Sequence, residues 1–311
     1  MRPPGYSRTL ASLRLPVGGG CAGAGKRSFR DGSESERPMT GDDLGKQFKG
    51  KVAVVTGGTQ GIGEATARLF AGRGAAGLVI CGRNEANGER VASDLNELGC
   101  PTEFVRADLN VDGEGVAVVE RADARFGRLD YLANCAGTTD RGNIWNTTAE
   151  LWDTTFNINV RTIFFMMQAA AKIMRRDKTE GAIVSIASVN AHGGDTHLTA
   201  YSASKGALVT MTKNVAAQLI LHRIRVHAIN LGWADTPGED VIQKKYHGRE
   251  DNWQESAGKE RMPIGRLISA DEVARMVAFM CSEESGMVTG AIIEYNQTVM
   301  GTFHGSEVSY E

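Results

Sequence analysis

The sequence predicts an α/β fold in which one domain is doubly wound on a parallel seven-stranded sheet. Three observations carry this reading. From Lys51 onward, short apolar, β-branched runs alternate with segments of helical period. Most of these runs lack the apolar/polar alternation of a strand with one wet face, so helices must cover both faces. The first run also leads straight into a glycine-rich turn that opens a helix.

The strands, in order, are 51–56 (KVAVVT), 78–82 (LVICG), 102–106 (TEFVR), 129–134 (LDYLAN), 182–187 (AIVSIA), 224–230 (IRVHAIN) and 290–295 (GAIIEY). After the first strand, Ile62, Ala65, Leu69 and Phe70 mark one helix face, and after the second Val91, Leu95 and Leu98 mark another. Two long apolar helices are expected around 151–175 and 202–221. The run Ile163, Phe164, Phe165, Met166 and Met167 in the first of these is wider than one sheet face needs, which predicts burial against another copy of the chain.

Composition narrows the function. The 311 residues carry 35 Lys+Arg against 37 Asp+Glu, a net charge of −2, which offers no cationic field for nucleic acid or an anionic membrane surface. No window is apolar enough to span a bilayer. Small-molecule partners are therefore expected. The five cysteines (Cys21, Cys81, Cys100, Cys135 and Cys281) are scattered without a CxxC pair, so no metal site is expected, and reduced thiols suit a cytoplasmic setting. Residues 1–38 stand apart as a tail rich in glycine and proline, with no acidic residue before Asp31. That stretch admits three readings: a disordered, dispensable tail, translation from a start upstream of Met39, or an organellar transit peptide. The catalytic domain is then 39–311.

The first strand runs into Thr56-Gly57-Gly58-Thr59-Gln60-Gly61-Ile62-Gly63. Glycines at 57, 61 and 63 permit a tight turn, close approach to a pyrophosphate and packing of helix on strand, and the helix N-terminus offers free N–H groups to the anion. The second strand ends in Cys81-Gly82-Arg83-Asn84, where an acidic residue would select NAD. Arg83 suits a 2′-phosphate, so the cofactor expected is NADP, with NAD still possible. Asp108 follows the third strand as a candidate acceptor for the adenine amino group. Asn134, Ala136 and Gly137 end the fourth strand, with small residues that let the backbone pass a ribose.

Tyr201 and Lys205 stand at i and i+4, on one helix face, with Ser188 thirteen residues upstream at a strand end. A free phenol titrates near 10, and an adjacent ammonium would favour its phenolate, making Tyr201 a general acid/base.

Taken together, TGGTQGIG at 56–63, NCAG at 134–137, Asn159 in FNINV, Ser188 in IASV, YSASK at 201–205 and Asn230-Leu231-Gly232 with Thr236 resemble the short-chain dehydrogenase/reductase family over about residues 48–300. The resemblance implies a Rossmann fold in which Gly57, Thr59, Gln60, Gly61, Ile62, Gly63 and Thr236 contact the cofactor. It implies that Ser188 hydrogen-bonds the substrate oxygen, that Tyr201 transfers its proton, and that Lys205 binds the nicotinamide ribose while lowering the Tyr201 pKa. Asn159 would hold a water relaying protons from Lys205. Dimers or tetramers follow from the same likeness.

Three positions depart from the family pattern. Cys135 replaces an Asn and should keep the turn. Leu231 replaces the usual proline, which predicts a flexible start to the substrate loop. The last strand closes in Glu294-Tyr295-Asn296-Gln297, similar to a sugar-dehydrogenase subgroup. Between the last two strands, residues 233–268 form an expected substrate lid, polar but interrupted by Trp233, Tyr246 and Trp253. Hydrogen-bonding groups with an aromatic face suit a sugar or polyol. The function expected is an NAD(P)-dependent alcohol/carbonyl oxidoreductase acting on such a substrate. The alternatives are an NADPH-dependent ketone or 3-oxoacyl reductase, and a catalytically silent dinucleotide-binding module.

Overall fold

A computed structural model of the chain describes residues 45–300, so the tail read over 1–38 and Cys21 lie outside the described residues. Seven parallel strands form the main sheet in the order β3-β2-β1-β4-β5-β6-β9. They are β1 (Val52–Thr56), β2 (Gly77–Gly82), β3 (Thr102–Arg106), β4 (Tyr131–Asn134), β5 (Ala182–Ile186), β6 (Arg225–Leu231) and β9 (Ile292–Tyr295). All seven expected strands are present, with ends displaced by at most two residues.

Alternate residues of each strand feed two separate cores, which is why no alternation shows in the sequence. Val55, Ile80, Ala133, Val184 and Ile229 pack under α1 (Gly61–Gly72), α2 (Glu85–Glu97) and α9 (Ala270–Cys281). Val54, Val79, Leu132, Ile183 and Ala228 pack under α3 (Glu114–Phe126), α5 (Thr162–Asp177) and α6 (Thr199–Leu219). Both sets must be apolar because both are dry.

The helix expected over 151–175 is interrupted. It starts as α4 (Ala149–Phe156), widens into a π turn over Asn157–Arg161, and continues as α5. Such single π turns gather at functional positions, and Asn159 sits in this one, wholly buried.

Two further strands, β7 (Ala234–Asp235) and β8 (Ile268–Ser269), pair beside the main sheet and are too short to leave a periodic signal. Between them stand α7 (Pro237–His247) and α8 (Trp253–Arg261). This segment has its own small core: Trp253 is 3% exposed, stacks on Trp233 at 5.4 Å and donates Nε1–H to Asp240. The aromatic groups read as a ligand-facing surface are thus partly spent on holding this segment together. Leu231 also departs from expectation. It is a buried strand residue paired with Tyr295, and Gly232 N donates to Tyr295 O at 2.9 Å, so the segment is anchored where a loose start was expected. Among the described residues, no helix is long and apolar enough to cross a membrane.

Candidate active site

The chain builds β1, β2 and β3 outward, then returns to place β4 on the other side of β1. Strand order therefore reverses at β1, and the carboxyl ends of β1 and β4 flank a crevice. The turns after these strands touch closely: a Cβ on Gly57 would lie 3.2 Å from Ala136 Cα, and Ala136 N donates to Thr56 Oγ1 at 3.0 Å.

The glycine turn is shaped for a phosphate. Gly57 and Gly61 adopt left-handed backbone (φ 66° and 55°), and a Cβ on Gly63 would meet Gly57 O at 2.2 Å. Gln60 is the N-cap of α1, yet its side chain caps nothing, leaving the helix amides free for an anion. Thr59 is buried against Gly82, and Ile62 packs on the core beneath the turn. Thr236, the N-cap of α7, has its Cβ 3.4 Å from a Cβ built on Gly61, so the lid begins against the glycine turn. A pyrophosphate cradle of bare backbone and an uncapped helix fits the dinucleotide expected from the sequence.

Around it, the sequence-predicted residues differ in what they offer. Arg83 is exposed at the end of β2 and makes no ion pair among the described residues, while its neighbour Asn84 caps α2. Asp108 Oδ1 accepts from Asn110 N, which ties one carboxylate oxygen to its own turn. The Asn134 side chain is engaged with the neighbouring strand, donating Nδ2–H to Ser185 Oγ at 3.1 Å and leaving Oδ1 buried without a partner.

Asn159 and Lys205 meet beside Gly137, whose missing Cβ would stand 3.2 Å from Asn159 Oδ1 and 3.4 Å from Lys205 Nζ, and Tyr201 and Ser188 adjoin Lys205. Ser188 stands two residues beyond β5 as the cap of a 3-10 turn and is buried. Lys205 Nζ donates to Ile186 O at 2.8 Å and lies 5.6 Å from the Tyr201 ring centre. Asn159 uses Oδ1 for Thr138 N and Nδ2 for Thr138 O and Ser204 Oγ.

One electrostatic expectation is corrected. Burial pushes the Tyr201 phenol above its ordinary value, partly opposed by the hydrogen bond from Ser188. Burial likewise pulls Lys205 down to about 8. The helix spacing brings the ammonium near the ring, and burial sets the direction for both groups because both lie in the protein interior.

Two polar clusters border this constellation. His192 Nε2 and Asn230 Nδ2 both meet Glu294 Oε1, at 2.8 Å and 2.7 Å, at the ends of β6 and β9. Asn230 is fully buried, with Oδ1 unpartnered. On the lid side, Arg141 faces Glu239 of α7 at 3.6 Å. Arg141 drew no attention in the sequence, because it stands in a polar loop, TTDRG, and its neighbours come from distant segments.

A family model described as enoyl-(acyl carrier protein) reductase matches residues 57–297. The chain is 35% identical to 3-oxoacyl-[acyl-carrier-protein] reductase FabG of Thermotoga maritima over 250 residues, covering 79% of this chain and 96% of the relative. It is 29% identical to galactitol 2-dehydrogenase of Agrobacterium fabrum, covering 78% and 94%. Its fold is similar to a short chain dehydrogenase from Burkholderia cenocepacia solved in complex with NADP, with a TM-score of 0.72, 30% identity, and coverage of 81% of this chain and 98% of that one. The glycine cradle, the Ser188/Tyr201/Lys205 grouping and these likenesses agree: the chain belongs to the short-chain dehydrogenase/reductase family and is an NAD(P)-dependent oxidoreductase of alcohol and carbonyl groups.

Proposed function

We propose that the protein interconverts a secondary alcohol and its ketone with NADP as the preferred cofactor, on a polar, hydroxylated substrate of the sugar or polyol class. The convergence of Ser188, Tyr201 and Lys205 beside the glycine cradle carries the reading. When bound, the nicotinamide accepts or returns a hydride at its C4. Ser188 Oγ–H holds the substrate oxygen against Tyr201. In reduction the carbonyl carbon takes the hydride and Tyr201 Oη–H gives its proton to the carbonyl oxygen, leaving a phenolate; oxidation runs from that phenolate, which takes the hydroxyl proton as the carbinol carbon loses its hydride and the C–O bond becomes double. Lys205 keeps a positive charge by the Tyr201 ring, and Asn159 fixes the turn carrying Thr138 from its place in the π turn.

Gly57, Thr59, Gln60, Gly61, Ile62 and Gly63 would hold the pyrophosphate with Thr236 over it, and Asp108, Ala136 and Gly137 would line the nucleoside path. Exposed Arg83, without an ion pair, supports the 2′-phosphate. His192, Asn230 and Glu294 support hydroxyl recognition, as does the likeness to galactitol 2-dehydrogenase. A second reading, ketone or 3-oxoacyl reduction with NADPH, is favoured by the 35% identity to the Thermotoga reductase. A screen of cofactor reduction and oxidation over sugars, polyols, secondary alcohols and 3-oxoacyl thioesters, each with both cofactors, separates the two. Turnover confined to the thioesters would displace the first.

Four free thiols among the described residues support a cytoplasmic setting. Phe164 and Phe165, each 38% exposed on α5, together with Trp152 on α4, support a homo-oligomer, either dimer or tetramer.

A further inference from the structure

Above the first turn of α6, the loop after β4 and the lid meet around one arginine. Gly142 N donates to His197 O at 2.9 Å, and Thr199 N donates to Gly142 O at 3.2 Å. This bridge fixes the neighbouring Arg141 beside the turn that carries Tyr201.

The Arg141 side chain is 11% exposed, yet its guanidinium is poorly satisfied. Nη1 donates to Thr139 O at 2.7 Å, Nη2 stands 3.6 Å from Glu239 Oε1, and Nε is buried with no partner. A guanidinium has five N–H donors, and burying them without acceptors costs desolvation free energy. Glu239 does not complete the shell, because the same Oε1 already accepts from Trp233 Nε1 at 3.0 Å and Gln243 Nε2 at 2.7 Å.

The charges leave room for an anion. Arg141 and Lys205 are two cations beside Tyr201, Glu239 is the carboxylate facing Arg141, and Glu294 is occupied by His192 and Asn230. The nearby carboxylates are committed elsewhere: Asp140 takes Lys245 and Tyr246, and Asp195 takes His197. Burial, followed by the charge of Arg141, holds His247 below its ordinary value, so it adds no charge at neutral pH. Both members of the pair reach the Tyr201 phenol, Glu239 raising it and Arg141 lowering it.

Resting on the oxidoreductase reading above, we propose that the under-satisfied Arg141 guanidinium anchors a substrate carboxylate, so that the chain interconverts a hydroxy carboxylate and the matching oxo carboxylate. The carboxylate takes no part in the chemistry: the carbinol carbon gives its hydride to the oxidised nicotinamide and its hydroxyl proton to Tyr201. A carboxylate accepting from the guanidinium fork supplies the charge-assisted bonds that Glu239 leaves unmade.

The test uses benzoate and benzamide, alike in shape and unlike in charge, titrated into the protein with and without NADP, alongside kinetics on hydroxy carboxylates and their carboxamides. Benzoate should bind about tenfold or more tightly than benzamide, and Arg141→Gln should erase that preference while leaving NADP affinity and Tm unchanged. Arg141→Lys should restore part of it. Glu239→Gln, which keeps an oxygen for Trp233, should strengthen benzoate binding. An Arg141–Glu239 pair serving only to latch the lid would instead respond in the same direction to both substitutions, for charged and neutral ligands alike, and that pattern overturns the proposal. Equal binding of benzoate and benzamide by the wild type overturns it too, while turnover of uncharged alcohols would leave the oxidoreductase reading standing. Absence of NADP and NAD binding would sink that reading separately.

Discussion

Lys205 Nζ lies 5.6 Å from the centre of the Tyr201 ring, one helical turn along α6, and spends a hydrogen bond on the carbonyl of Ile186 rather than on the phenol. The lysine is thereby tied to the end of β5, the strand that leads into Ser188. Three groups from two elements share one frame, so their mutual geometry is set by the sheet as well as by the helix. Ser188 acts on the Tyr201 phenol against the upward push of burial.

Tyr201→Phe removes the proton-carrying oxygen and keeps the ring that packs near Lys205. Turnover should fall by about 10² or more, with NADP affinity retained in a fluorescence titration. Ser188→Ala should lose a comparable factor. Unchanged turnover in either variant would refute the assigned roles.

Arg83 stands exposed at the end of β2 with no ion pair to break, so its removal should be read in cofactor affinity rather than in folding. Arg83→Ala should weaken NADP by about 1.5–3 kcal/mol and leave NAD nearly unchanged. Calorimetry with both cofactors measures this directly, and a wild-type protein binding NAD tenfold more tightly than NADP would contradict it.

Two glycines of α1 should respond oppositely to alanine. A Cβ on Gly63 meets the Gly57 carbonyl at 2.2 Å, whereas one on Gly72 meets nothing within 4 Å. Gly63→Ala should cost about 1–3 kcal/mol of stability and abolish measurable cofactor binding. Gly72→Ala, in helical backbone, should be neutral or stabilise by up to about 1 kcal/mol. Urea unfolding of the pair decides it.

His227, fully buried in β6 with both ring nitrogens unpartnered, is held down to about 4 by burial and, next, by the charge of Arg225. The unfolded chain takes up this proton near 6.5, well before the folded chain does. His227 therefore contributes no loss above about pH 6.5, and stability falls as pH drops from there toward 4, by on the order of 3 kcal/mol in all. His227→Leu should flatten that part of the urea midpoint against pH. An unaltered slope would show that other groups carry it.

Phe164 and Phe165 on α5 supply the last test. Replacing both with Glu should shift the particle seen by light scattering to smaller mass without loss of cofactor binding. A wild type that is monomeric at micromolar concentration would remove the oligomer from consideration.

The seven strands, the glycine turn and the Ser188/Tyr201/Lys205 grouping were legible in the sequence because each is a local pattern. A dry strand must be apolar on both sides, a turn pressed on a phosphate must lack Cβ atoms, and i to i+4 fixes a helix face. Tertiary structure alone decided what depends on distant partners. Leu231 is a strand residue because Tyr295 pairs with it, and Trp253 is lid core because Trp233 stacks on it. The Tyr201 phenol is raised because helix and sheet together exclude water, which i to i+4 spacing cannot report. Arg141 matters because the Gly142–Leu198 bridge carries it to α6 and α7 brings Glu239 beside it. Burial and electrostatics act through space between segments about a hundred residues apart, so no window of sequence contains them.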